Sequence, residues 1–112
     1  MEHKERDDAI CRKLLNEIAD IESFTAGKGV AELTNDKMWQ KAVVMSLINI
    51  GELSKALSED CQASMPQIPW KSIRGFRNIA AHQYGIIDFF DVYKTIAEDK
   101  PKLKTALEAA GK

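Results

Sequence analysis

The 112-residue chain reads as an all-α protein, an antiparallel bundle of four to five helices. Three observations predict this. Apolar residues recur at three- and four-residue spacing in long segments, the period of one helix face. No segment alternates apolar and polar residues as a half-buried strand would. Glycine and proline fall between the periodic segments rather than inside them, apart from Pro101, Gly51 and Gly75.

Ile10, Leu14, Ile18, Ile21 and Phe24 define the first helix, from about Glu5 to Phe24, which Gly27-Lys28-Gly29 ends. Val30 to Leu33 reads as a single helical turn. Thr34, Asn35 and Asp36 then offer N-cap oxygens to the second and longest helix, about Asp36 to Glu59. Its seam is Trp39, Val43, Ser46, Ile50, Leu53 and Leu57, with Val44, Leu47 and Ile48 adding apolar surface on other sides. A helix apolar nearly all round is buried from several directions, and in so short a chain a second subunit is the expected source. Asn49 and Glu52 share one face of it, as polar groups near the packed region.

Ser58 to Pro69 reads as a loop stiffened by Pro66 and Pro69. Pro69 suits the first position of a third helix, and Gly85 its left-handed terminator. Asp88 caps a fourth helix through Phe89, Tyr93 and Ile96. Pro101 kinks or restarts it, and Leu103 and Leu107 carry the apolar seam onward.

Composition narrows the function. At this length the chain is one domain, residues 1–112. A net charge of −1 announces no global field for nucleic acid, so any such site is a local patch. Cys11 and Cys61 lack CxxC spacing, and no apolar run approaches a membrane span or a signal-peptide core, so a reduced, soluble, cytoplasmic chain with no membrane partner is expected. Asp7 and Asp8 read as a solvent-facing helix start. There is no Glu-x-x-His pair, no His-Glu-x-x-His and no phosphate-loop glycine pattern, so neither metal nor cofactor is expected.

The chemistry concentrates in Arg77-Asn78-Ile79-Ala80-Ala81-His82-Gln83-Tyr84. On a helical wheel Lys71, Arg74, Asn78 and His82 form a polar stripe about 80° wide, with Ile73, Phe76 and Ala80 opposite. Gly75 lies in the stripe, where close approach by a backbone or ligand would explain it. Arg77 and His82 are about 140° apart on an ideal helix. Either the helix loosens before Gly85 or the groups converge between two copies of the chain; the second is the reading taken. A histidine near neutrality can remove a ribose 2′-hydroxyl proton or protonate the leaving 5′-oxygen, and a guanidinium can neutralise the phosphorane. Glu52 is a plausible carboxylate to orient Arg77.

Arg77-x4-His82-x-Tyr84 resembles the signature of HEPN ribonucleases, and the chain is similar in particular to the HepT toxins of MNT–HepT toxin–antitoxin systems. Ile50-Gly51-Glu52, Pro66-Gln67-Ile68-Pro69-Trp70 leading to Arg77-Asn78, and the spacing from Ile87 through Val92 to Pro101 and Leu103 extend the likeness over about Asp36 to Leu107. Tyr93 departs from it, standing where many relatives carry tryptophan. The resemblance implies a homodimeric helical bundle and a metal-independent endoribonuclease leaving cyclic phosphate ends. It makes Arg77 and His82 catalytic, Asn78 supporting and Tyr84 an AMPylation site. It also implies a nucleotidyltransferase antitoxin of the MNT type as partner. Lys71 and Arg74, from the stripe itself, are expected to hold RNA phosphate. A different reading of the same stripe is a non-catalytic helical dimer that binds nucleotide or the nucleotidyltransferase.

Overall fold

The computed structural model describes residues 2–75 and 88–110, and these are helical throughout apart from short connections, with no strand among them. In chain order the elements are α1 (Glu2–Thr25), α2 (Val30–Thr34), α3 (Lys37–Ala56), α4 (Glu59–Ala63), α5 (described over 70–75) and α6 (Phe89–Ala110). No described helix is long and apolar enough to cross a membrane.

α1 exists because Ile10, Leu14, Ile18 and Ile21 make one continuous stripe, and all four are buried. Phe24, expected on that stripe, is 38% exposed: the helix ends at Thr25, and Gly27 (φ +77°) turns the chain away before Phe24 can be covered. α2 is the anticipated single turn and contributes Leu33 to the core. Asp36 caps α3, its Oδ1 accepting from the backbone N–H of Met38 (2.9 Å) and Trp39 (3.4 Å). The α3 seam is buried at Trp39, Val43, Ser46, Ile50 and Leu57, with Leu53 half-buried against it. Val44 and Leu47 are also covered within the single chain, whereas Met38 and Met45 are exposed.

α1 packs on α3 and on α6, and α2 on α3 and α6, so the apolar stripes of all four meet in one core. Leu14, Ile18, Leu33, Val43, Ile73 and Leu107 are almost wholly inaccessible. Burial of side chains of this size contributes about 1.5–3 kcal/mol each. Trp39 closes one end, its ring 6.3 Å from that of Tyr93 and its Nε1–H donating to Thr25 Oγ1 at 3.2 Å. On the surface Glu22 accepts from Lys104 (3.1 Å) and lies 3.5 Å from Lys100, and the Lys104 hydrogen bond holds its carboxyl below the usual range. This cluster is too exposed to add much stability.

Several expectations are corrected. The stretch Ser58 to Pro69 is not all loop: Ser58 caps α4, its Oγ accepting from the Cys61 N–H at 3.1 Å, with Glu59 and Asp60 in the first turn. The prolines restrict only the residues beside them and leave 59–63 free to coil. The second helix accordingly stops at Ala56, short of Glu59. Pro69 stands one position earlier than expected, its carbonyl accepting from Ile73 N–H (3.1 Å) to open α5. α6 does not restart at Pro101 but runs through it, because Ile96 and Leu103 on either side are both buried and hold the two halves on the same core. Asp88 caps α6 as expected, accepting from the N–H of Phe90 (2.9 Å) and Asp91 (3.4 Å).

Asp7 is another. It is 8% exposed rather than solvent-facing, and accepts from both Ser58 N–H (3.0 Å) and Ser58 Oγ–H (2.6 Å). Asp8 is exposed. The Asp7 bond joins the start of α1 to the cap of α4, and Ser58 passes it on by capping Cys61. Asp7→Ala leaves a half-buried N–H and hydroxyl unpaired and is expected to destabilise the protein by about 1–3 kcal/mol. Urea unfolding measures this, and a change below about 0.5 kcal/mol would show that water replaces the carboxylate at no cost.

Candidate functional site

The motif is approached through the first turn of α5, and that turn is tightly seated. Ile73, 1% exposed, points into the core and borders a small apolar cavity together with Ile18, Leu47, Ile50, Ile96 and Leu103. Trp70 is buried, and its Nε1–H donates to the carbonyls of Gln62 and Met65, both at 3.1 Å. Lys71 is exposed, as the polar stripe requires. Arg74 is half-buried, and its Nη1 donates to Gln62 Oε1. The expected separation of Ile73 from Lys71 and Arg74 is therefore what the structure has.

The sequence pattern marks Arg74 as a phosphate contact, and the structure adds a protein partner. Among the described residues one guanidinium nitrogen is engaged, by Gln62, and the guanidinium carries further N–H donors that a phosphate could use. Its partner Gln62 is the residue that sequence reasoning missed. Ser58 followed by two acids signals the helix that carries Gln62, but no pattern in the sequence says what a glutamine on that helix will meet. At Gly75 a Cβ would contact nothing within 4 Å among the described residues, so no described backbone makes the close approach expected there.

Glu52 is exposed on α3 and borders an open groove with Lys13, Asn16, Glu17, Asn49 and Leu53. Asn49 Nδ2–H donates to Glu17 Oε2 at 3.3 Å across this groove, so α1 and α3 present a common polar rim. Arg77, Asn78, His82 and Tyr84 lie outside the described residues, as do Gly85 and the wheel positions Phe76 and Ala80.

Among the described residues no three of His, Cys, Asp or Glu gather in a cluster able to hold a metal ion. The two cysteines are free thiols, half-buried where α1 meets α4. Burial, then the neighbouring Cys61, pushes the Cys11 thiol up to about 12; burial, then Asp7, also raises Cys61. Neither is a competent nucleophile near neutrality.

These features define the class: an all-α bundle that fixes the first turn of α5, after which the sequence runs into a cationic, histidine-bearing segment. The family is defined by comparison. A model of the family described as Ribonuclease HepT-like matches residues 14–110, and the chain belongs to that family. It is 37% identical over 95 residues to the Methanocaldococcus jannaschii protein named "Putative RNase MJ1380", covering 85% of this chain and 87% of that one. It is 36% identical over 88 residues to "Probable ribonuclease HepT" of Thermococcus cleftensis, covering 79% of this chain and 80% of the relative. No solved structure matches the chain significantly.

The raised Cys11 pKa has a measurable consequence. Against an ordinary thiol near 9.0, a pKa of about 12 leaves roughly 1,000-fold less thiolate at pH 8, partly offset by its greater intrinsic nucleophilicity. Alkylation of folded Cys11 by iodoacetamide is expected to be on the order of 30-fold slower than in urea, followed by peptide mass mapping. Since the folded pKa is raised, the associated stability is complete below about 9 and is lost as pH climbs toward 12. Equal alkylation rates in the folded and unfolded protein would contradict this environment.

Proposed function

We propose that this protein is an endoribonuclease that needs no divalent metal, and that it serves as the toxin of a toxin–antitoxin pair in the cytoplasm. The observation that carries the reading is the HepT-like family match over residues 14–110, which contains the whole of Arg77-x4-His82-x-Tyr84. The names of its relatives supply the substrate class, RNA.

The reaction follows from the residue types. His82 in its neutral form takes the proton of a ribose 2′-hydroxyl. The O2′ attacks the adjacent phosphorus, the bond from phosphorus to O5′ breaks, and the leaving oxygen takes a proton from water or from the imidazolium that His82 has become. The products are a 2′,3′-cyclic phosphate and a 5′-hydroxyl. Arg77 neutralises the charge that builds on the phosphorane oxygens. The ribose provides the nucleophile, so a metal-activated water has no role to fill. Asn78 supports the pair, Glu52 orients Arg77, and Lys71 with the remaining donors of Arg74 holds the RNA backbone.

Two chains form the working unit, with residues of both motif segments meeting in one cleft. The partner that silences it is a nucleotidyltransferase that places AMP on Tyr84. That phosphate would occupy Arg74, Arg77 and His82, the charges that otherwise hold the RNA, and would repel the substrate's own phosphates.

Three measurements test these assignments. Purified protein is expected to cut RNA in EDTA, to lose at least about 100-fold of its rate in folded His82→Ala and Arg77→Ala variants, and to slow at low pH, because the base must be neutral to act. Full cleavage by His82→Ala would remove the mechanism and leave a binding protein. Light scattering is expected to give twice the 12.6 kDa chain mass; a monomer that still cuts RNA would refute the shared cleft. Co-expression with the nucleotidyltransferase, then intact-mass and peptide mapping, is expected to find AMP on Tyr84. AMP confined to other residues would displace Tyr84 as the control point.

A further inference from the structure

Gln62 takes no part in the chemistry proposed above, yet its polar groups bind three elements together. Its Nε2–H donates to the carbonyls of Ser54 (3.3 Å) and Leu57 (3.0 Å) at the C-terminal end of α3. Its Oε1 accepts from Arg74 on α5. Its own carbonyl accepts from the indole N–H of Trp70 at 3.1 Å, and its N–H donates to Ser58 O at 3.1 Å within α4. One amide thus spends its donors on α3 and its acceptor on α5, an orientation in which both ends are matched.

Position gives this clamp its significance. Arg74 stands three residues before Arg77, so the bond to Gln62 is the last polar tie on the described chain before the motif begins. Ile73 fixes the depth of α5 by packing, but apolar packing alone sets rotation about the helix axis loosely. A charge-assisted bond from Arg74, nearly 100° around the wheel from Ile73, fixes that rotation. The other end of the amide holds the last turn of α3, the helix that carries Glu52.

We propose that Gln62 is a positioning residue for the ribonuclease site, acting through Arg74 to set the rotation of α5 relative to α3. This rests on the ribonuclease reading above. Arg74 is accordingly a positioning residue as well as a phosphate contact, and the two residues act as one unit. A misplacement of about 1 Å at reacting groups costs on the order of 100-fold in rate, so a loosened α5 is read in kcat before it is read in binding.

The test compares Gln62→Met, Arg74→Met and the double variant in steady-state RNA cleavage, with folding checked by circular dichroism. Gln62→Met is expected to lower kcat at least about tenfold with KM within about threefold of the parent, and the double variant to have a kcat no lower than that of the worse single variant. Gln62→Glu, which keeps an acceptor for Arg74, is expected to recover part of the lost kcat. Unchanged kcat in a folded Gln62→Met protein overturns the proposal, as does a double variant whose kcat loss is the product of the single losses. If Gln62→Met does not fold, Arg74→Met decides alone: a kcat loss supports the clamp, and a rise in KM at constant kcat overturns it. NMR titration of His82 in carbon-labelled protein supplies a readout that needs no cleavage. Should the parent not cut RNA, the ribonuclease reading fails, and a His82 titration that is the same in parent and Gln62→Met then overturns the positioning role too.

Discussion

The first turn of α5 is caught between the core and the end of α3, and the approach to the motif depends on that capture. Ile73 is held by side chains of α1, α3 and α6, while Trp70 and Arg74 are held by the α4 segment. The core fixes where the helix lies, and the polar ties fix which way it faces. Without the apolar contact the hydrogen bonds would be exposed to water and worth little. Without the hydrogen bonds Lys71 and Arg74 could turn relative to the end of α3 at small energetic cost.

α4 is the element that links these constraints. It is only five residues long and buries no residue fully, so its own packing cannot hold it in place. It is held by its ends. Asp7 on α1 grips the Ser58 cap, and Gln62 grips the carbonyls that end α3. A short helix tied at both ends by side-chain amide, hydroxyl and carboxylate groups can hand a defined geometry to the chain that follows it. The half-buried cysteines sit in this same region, and the burial that keeps them protonated also makes them inert packing groups rather than reactive ones.

The helices, most of their boundaries and the core stripes were readable from the sequence by itself. Ile10, Leu14, Ile18 and Ile21 repeat with a period that only a helix can bury on one side, and Asp36 and Asp88 are capping residues wherever a helix follows them. The family was readable too, because the Arg77 to Tyr84 spacing came with the Pro66 to Trp70 approach and the Ile50-Gly51-Glu52 segment. What the sequence could not settle were contacts between residues distant along the chain. Asp7 looked like part of a solvated acidic start, and its bond to Ser58 exists only because α1 and α4 are brought together by a core that neither residue belongs to. The α4 helix itself was hidden by two prolines that follow it, and Pro101 left a kink and a restart both open because local propensity carries no information about the packing of Ile96 and Leu103. Gln62 carries no periodicity and no motif. Its role was decided by tertiary structure alone, since an amide is assigned its partners by whichever carbonyls and guanidinium groups the folded chain places around it.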